Sequence, residues 1–180
     1  MIERIVLLDE NGNEIGEADK LSAHNEHTPL HRAFSCYIFN GDGLFLVTQR
    51  AMSKKVWPGV WTNSVCGHPG PGEAYEDAII RRAHDELGMD IKDIRLVLPN
   101  YRYMTPPFRG IIENEMCPVF IARQAGDINA NPDEVEAYNW VSWNDYLLAL
   151  KTNPDMYSYW TKEQAALLEA SSIFATFRSK

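Results

Sequence analysis

Apolar runs separated by turn residues divide the chain into recognisable elements. IVLLDENGNEIGEA reads as a strand, an Asn-Gly turn and a second short strand. RAFSCYIFNGDGLFLVTQR is a clearer hairpin, with aromatic and β-branched runs on either side of Gly41-Asp42-Gly43. VWPGVWTNSVCGHP has the composition of a strand, expected to run on through Cys66, and HPGPG ends it with turn chemistry. Positions 73–87 read as a helix with Gly88 as its C-terminal stop. Further strands are expected in IRLVLPNYRY, GIIENEMCPVFIAR and AYNWVSW, and helices over 144–150 and about 162–177. Interspersed strands and helices, with several hairpin links, predict an α/β fold in which a mixed sheet is covered by helices.

Composition narrows the class. A chain of 180 residues, 45% hydrophobic and 23% charged, suits one domain with one sizeable core. The net charge of −8 argues against nucleic acid as a partner, which needs a broad basic surface. Any anion must therefore be taken by a local basic pocket within an acidic shell. Cys36, Cys66 and Cys117 are an odd set without framework spacing, so thiols in a reducing cytoplasm are expected. MIERIVLLDENG reads as neither a signal peptide nor a membrane span.

Candidate chemistry clusters at three places. In NSVCGHP, Cys66 and His68 are two apart, which on a strand points both the same way. A zinc knuckle there lacks the neighbouring cysteines it needs, whereas a reactive thiol beside a metal ligand and a satisfied core pair both fit. Cys36 and Cys117 are expected to be buried and inert. In IIENEMCPVF, Glu113 and Glu115 share a strand face, and two such carboxylates raise each other's pKa unless a cation lies between them. SAHNEHTPLHR brings His24, His27 and His31. Three imidazoles with two carboxylates would suit Mn²⁺, Zn²⁺ or Fe²⁺. On the expected helix, Arg82 and Glu86 are four apart and share one face, either as a surface ion pair or as a phosphate grip beside a Mg²⁺ ligand.

Gly67, Glu73, Arg81, Glu86 and Gly88 stand in the register of a Nudix box over 67–89. The box is degenerate: Arg82 replaces a metal-binding glutamate, and Asp85 replaces the first of a later pair. With AHNEHTPLHRAFS, QRAMSKKVWPGVWTNSVCGHP, YRY and ENEMCPVF, the chain resembles the type I isopentenyl-diphosphate Δ-isomerases, a metal-dependent branch of the Nudix fold. The resemblance spans nearly the whole chain. It implies one compact Nudix-like domain, 1–180, with a mixed sheet sandwiched between helices. It implies a metal site at His24, His31, His68, Glu113 and Glu115, holding Mn²⁺ or Zn²⁺, and Glu86 reaching a Mg²⁺ carried by the substrate, with no flavin. It implies catalysis by Cys66, Glu115 and Tyr103. Lys20, Arg50, Lys54 and Arg82 would bind the diphosphate, and Trp160 would close over the hydrocarbon. Trp61 is a second indole candidate, Trp57 and Trp61 read equally as core aromatics, at least one of them being so, and Lys55 reads as a solvated surface charge. The implied partner is a small isoprenyl diphosphate, with no nucleic acid or membrane, in a cytoplasmic monomer or weak homodimer. The rivals are a Nudix pyrophosphohydrolase, which Arg82 contradicts, and a non-catalytic Nudix-like binding domain, which leaves the Cys66, His68, Glu113 and Glu115 set unexplained.

Overall fold

The first hairpin forms β1 (Arg4–Leu8) and β2 (Glu14–Asp19), paired antiparallel, in a computed structural model that describes residues 3–179. A single helical turn, α1 (Lys20–Ala23), follows, capped by the Asp19 carboxylate, which accepts from the Ser22 N–H. β3 (His31–Arg32) leads into β4 (Phe34–Phe39), and β4 pairs antiparallel with β5 (Phe45–Arg50) as the hairpin pattern requires. All six residues of β4 are buried. Phe34, Cys36 and Ile38 face one core cluster and Tyr37 and Phe39 the other, as befits a strand covered on both sides.

Four expected elements are broken, each for a local reason. The strand expected through Cys66 splits into β6 (Trp61–Thr62), on β5, and β7 (Val65–Gly67), on β4. At the break, the Asn63 side-chain amide donates to the carbonyls of Cys36 and Val65, doing the work of a backbone ladder. The helix begins two residues late, as α2 (Tyr75–Leu87), because Glu73 is held outside it by the Gly70 N–H and by Arg81. IRLVLPNYRY bends at Pro99 into β8 (Ile91–Leu98) and β9 (Arg102–Met104), and ENEMCPVFIAR bends at Pro118 into β10 (Asn114–Met116) and β11 (Val119–Gln124). A proline has no N–H to continue a ladder. β12 (Val135–Val141) and α3 (Trp143–Thr152) follow. The helix expected over 162–177 is two, α4 (Tyr159–Glu169) and α5 (Ser172–Arg178), because Ser171 caps the second by accepting from the Phe174 N–H.

The strands make two sheets, β2-β1-β3-β10-β9 and β12-β5-β4-β11-β8, with β6 and β7 attached to the second. β3–β4, β10–β11 and β8–β9 each pass from one sheet to the other, so the sheets meet along a seam. Within the smaller sheet β3 and β10 run parallel, as do β4 and β11 within the larger. α2 packs on one face of the larger sheet through Ala78, Ile79 and Leu87. Trp143, Tyr146, Leu168 and Phe174 bring α3, α4 and α5 onto the other. Among the described residues no helix is long and apolar enough to cross a membrane.

Gly88 sets where α2 ends. Its φ is 57° and its N–H donates to the His84 carbonyl. A Cβ there would stand 2.6 Å from the Asn129 carbonyl oxygen. Gly88→Ala is therefore expected to cost about 1–3 kcal/mol, through left-handed strain and that contact together. The check is the urea midpoint at constant m-value, and an unchanged midpoint would contradict this account of the helix end.

Candidate active site and metal centre

The seam between the sheets carries the cluster. His24 lies just after α1, and its Nδ1 is 2.6 Å from the Lys20 carbonyl. His31 opens β3, with Nδ1 2.9 Å from the Pro29 carbonyl. A carbonyl only accepts, so each Nδ1 carries a proton, and in the neutral ring the Nε2 lone pair faces inward. His31 Nε2 is 3.1 Å from His68 Nε2, and His24 Nε2 is 3.1 Å from Glu113 Oε2. Glu115 Oε1 lies 3.1 Å from His68 Nε2 and 3.7 Å from His31 Nε2. Glu113 and Glu115 do share a side, although only Glu115 is within β10; Asn114 between them hydrogen-bonds elsewhere, to the Thr28 carbonyl.

These groups fit a divalent metal. His24, His31, His68 and Glu113 offer ligand atoms that all lie within 4.8 Å of one another. Burial pushes the His68 ring down to about 3, so it is neutral and a lone pair is available. Glu113 Oε2 is buried with no hydrogen-bond partner. Burial opposes a charge on His24, yet the neighbouring Glu113 carboxylate lifts its pKa above the ordinary value. Converging lone pairs and carboxylates repel one another unless a cation joins them, and three imidazoles with carboxylate oxygens suit divalent transition ions. The Lys20 and Pro29 carbonyls fix the outer nitrogens, as such ligands require.

The thiol lines the same cavity as His24, His68, Glu113 and Glu115 of the cluster. Cys66 is on β7, and its Sγ donates to Asn63 Oδ1 at 3.1 Å and lies 3.5 Å from Ser35 Oγ. Burial pushes its pKa up to about 12. Tyr103, cross-strand from Glu115, donates its hydroxyl to Glu115 Oε2 at 2.7 Å. Burial alone would raise Glu115, but His31 and His68 hold it well below the carboxylate range; burial leads in raising Tyr103 well above its own. Trp160, 4% exposed, donates its indole N–H to the same Asn63 oxygen at 3.1 Å, and its ring lies 5.7 Å from that of Tyr103. Cys66, Glu115, Tyr103 and Trp160 line one cavity of about 270 Å³. Trp57 and Trp61 pack against the core outside that lining, so Trp61 is no second indole of the cavity, while Trp57 packs edge-on against Trp160.

The cavity is also lined by ionic groups: Lys20, Arg50, Lys54, Arg82 and Glu86. Arg82 pairs with Glu86, as their spacing predicts, and with Glu134 at 3.2 Å; Lys54 also pairs with Glu134. The Arg82–Glu86 pair is not a surface pair, since its side chains are only 15% and 13% exposed. Burial raises the Glu86 pKa against the pull of Arg82. Lys20 bonds Glu3 at 2.9 Å, and the Arg50 guanidinium donates to the Val56 carbonyl. Gly67 permits the close approach of α2: a Cβ there would sit 3.0 Å from Arg82 Cγ. Lys55 reaches the cavity lining although it is exposed. His27 is exposed and takes no part in the cluster.

Sequence reasoning misses Asn63, Ser35, Gln164 and Glu134. Asn63 lies inside NSVCGHP, and the chain's break in strand pattern there is its only signal. Glu134 sits in an irregular segment before β12, with nothing in its neighbours to mark it.

A loop–helix unit with Gly67, Glu73, Arg81, Glu86 and Gly88 in Nudix register, packed on a mixed sheet, is what a Nudix-type protein presents. The NUDIX domain family matches residues 29–162, and the chain belongs to that family. Within it, the chain is 52% identical over 172 residues to a protein of Paenarthrobacter aurescens (strain TC1) named Isopentenyl-diphosphate Delta-isomerase, covering 95% of this chain and 94% of the relative. A protein of Citrobacter koseri (strain ATCC BAA-895 / CDC 4225-83 / SGSC4696) with the same name is 49% identical over 164 residues, covering 91% of each. Among solved structures, DR0079 from Deinococcus radiodurans shares the fold at TM-score 0.65 and 22% identity, over 84% of this chain and 90% of that one. A MutT NUDIX hydrolase from Burkholderia pseudomallei does so at TM-score 0.59 and 21% identity, over 77% and 97%.

The cluster makes stability depend on metal. Adding Mn²⁺ or Zn²⁺ to metal-stripped protein is expected to raise its unfolding free energy by about 2.7 kcal/mol when free ion is about 100 times Kd. His31→Gln combined with Glu113→Gln should abolish the rise. An unfolding curve indifferent to either ion in the unmodified chain would show that the cluster binds neither.

Proposed function

We propose that this chain is an isopentenyl-diphosphate Δ-isomerase, interconverting isopentenyl and dimethylallyl diphosphate by protonation and deprotonation in isoprenoid biosynthesis. Its similarity to proteins of that name covers nearly all of the chain. The observation that carries the reading is a single cavity lined by Cys66 and Glu115 together with Lys20, Arg50, Lys54, Arg82 and Glu86.

The reaction asks for that combination. An unactivated alkene is a poor base, and its protonation yields a tertiary carbocation. A proton must be added at one carbon and another removed from C2, by groups placed on either side of a thin substrate. Cys66 and Glu115 are assigned as that acid–base pair, with Tyr103 orienting the carboxylate through its hydroxyl. Water would quench the cation, so a closed apolar end is required, and the Trp160 face can stabilise positive charge by about 0.5–2 kcal/mol. Lys20, Arg50, Lys54 and Arg82 anchor the diphosphate by charge-assisted hydrogen bonds.

His24, His31, His68, Glu113 and Glu115 are assigned as ligands of Mn²⁺ or Zn²⁺, which when bound fixes Glu115 and adjusts its basicity. Glu86 is assigned to a Mg²⁺ that arrives with the diphosphate. Protons move without net redox change, and the reading assigns no flavin to the site. Arg82 stands where a pyrophosphohydrolase would place a glutamate, which favours isomerisation. The reading takes residues 1–180 as one isomerase domain with its box at 67–89, acting as a monomer or weak homodimer in a reducing cytoplasm, where Cys36, Cys66 and Cys117 stay thiols.

The metal-replete protein with Mg²⁺ is expected to interconvert the two diphosphates and to incorporate deuterium from heavy water. Cys66→Ala and Glu115→Gln should each lower kcat by about 10²–10⁴-fold, as loss of an acid or base does. Neither product nor label from the replete protein would overturn the reading. Trp160→Leu should lower kcat by about 2- to 30-fold, the value of one cation–π contact. A Trp160→Leu enzyme as fast as the unmodified one would remove the indole from the mechanism.

A further inference from the structure

We infer that Ser35 and Gln164 form a buried brace that positions the Cys66 sulfur, making both of them positioning residues for the isomerisation; the inference rests on the isomerase reading. Ser35, on β4, is the cross-strand partner of Cys66 on β7. Its hydroxyl oxygen lies 3.5 Å from the Cys66 sulfur and 3.4 Å from that of Cys117. From α4, Gln164 Nε2 donates to that same oxygen at 3.0 Å.

The direction of the hydrogen bonds settles what Ser35 offers. Gln164 Oε1 accepts from the Tyr37 hydroxyl at 3.0 Å. A tyrosine hydroxyl has one proton, so Tyr37 must accept from Thr161, 3.0 Å away, and Thr161 in turn from Tyr146. Donors therefore run one way, from Tyr146 through Thr161, Tyr37 and Gln164 to Ser35. Such chains strengthen each of their members. Because the Cys66 proton goes to Asn63, a hydrogen bond between Ser35 and Cys66 has Ser35 as its donor, with the Cys117 sulfur the competing acceptor.

Asn63 acts from another direction by accepting the thiol proton. Cys66 is thus held between one donor and one acceptor, which restrains the sulfur in the cavity. Ser35 and Gln164 are both fully buried, a position that costs free energy unless every polar atom has a partner. The brace also ties the thiol to α4, whose Trp160, one turn before Gln164, bonds the same Asn63 oxygen as the thiol.

The test is the steady-state kinetics of metal-replete Ser35→Ala, Gln164→Met and the double variant, alongside the unmodified enzyme. Each single substitution is expected to lower kcat by about 10- to 100-fold, the scale of a small misplacement of a reacting group, with KM held within about 2-fold. Because Gln164 acts through Ser35, Gln164→Met should cost no more in the Ser35→Ala background. Phe174→Leu, which loosens the same core face away from the cavity, serves as a stability control and should keep kcat at a comparable loss of Tm. Losses that multiply in the double variant, or that the control reproduces at equal Tm, would overturn the brace. So would an unchanged kcat in Ser35→Ala when the unmodified enzyme is active. Failure of the unmodified enzyme to isomerise would instead overturn the underlying reading, and the brace with it.

Discussion

Buried imidazole lone pairs and carboxylates pointed at one another are the constraint from which the site follows. His31 and His68 face each other through Nε2 at 3.1 Å, with Glu113 and Glu115 on either side, in a region almost closed to water. Nothing in the packing of the two sheets requires that concentration of acceptors, and apolar residues would fill the seam at lower cost. The arrangement holds because α1, β3, β7 and β10 each deliver one or two ligands from separate parts of the chain. A cation at their meeting point would turn mutual repulsion into cross-linking, joining the smaller sheet to the larger one. On the proposed reading the same junction would fix Glu115, the group assigned to move a proton.

The ionic groups of the cavity meet an opposite demand. Buried cations also need partners, and before a diphosphate arrives they find them within the protein. Glu134 takes both Lys54 and Arg82, Glu86 takes Arg82, and Glu3 takes Lys20. Each pair limits the cost of burying its charge, and each must be rearranged or shared when phosphate oxygens enter. Glu86 and Glu134 both face Arg82, so a divalent cation carried by the diphosphate would compensate the carboxylates as phosphate engages the guanidinium. On the proposed reading, substrate and its cation would thus enter more readily together than either alone.

How much of this was legible in the sequence depended on the range of the interactions. The β4–β5 hairpin, the body of α2 and its stop at Gly88 follow from local pattern and turn chemistry, and they stand where those signals put them. The breaks at Asn63, Pro118 and Ser171 turn on particular side chains, two of which cap or replace backbone hydrogen bonds across the fold. Spacing made Glu113 and Glu115 neighbours but could not bring His24 to His68, since their meeting depends on how two sheets join. The family resemblance supplied that grouping. Glu134 had no such help: its role as a counter-ion appears only once β12 is paired with β5 beside Lys54 and Arg82.

The seam also explains why thiol and carboxylate can serve one substrate. Cys66 stands on a strand of the larger sheet and Glu115 on a strand of the smaller, so neither shares a flexible loop with the other. Their separation is set by where β3 becomes β4 and where β10 becomes β11, the two parallel crossings that carry His31 and Ser35 on one segment and Glu115 and Cys117 on the other. Proton transfer to carbon tolerates little error in distance or angle. Placing the two groups on rigid strands, with α4 closing above them through Trp160, makes the width of the reacting cleft a property of the sheets themselves. On the proposed reading, a substrate drawn in by its charged end would lay its hydrocarbon between the two.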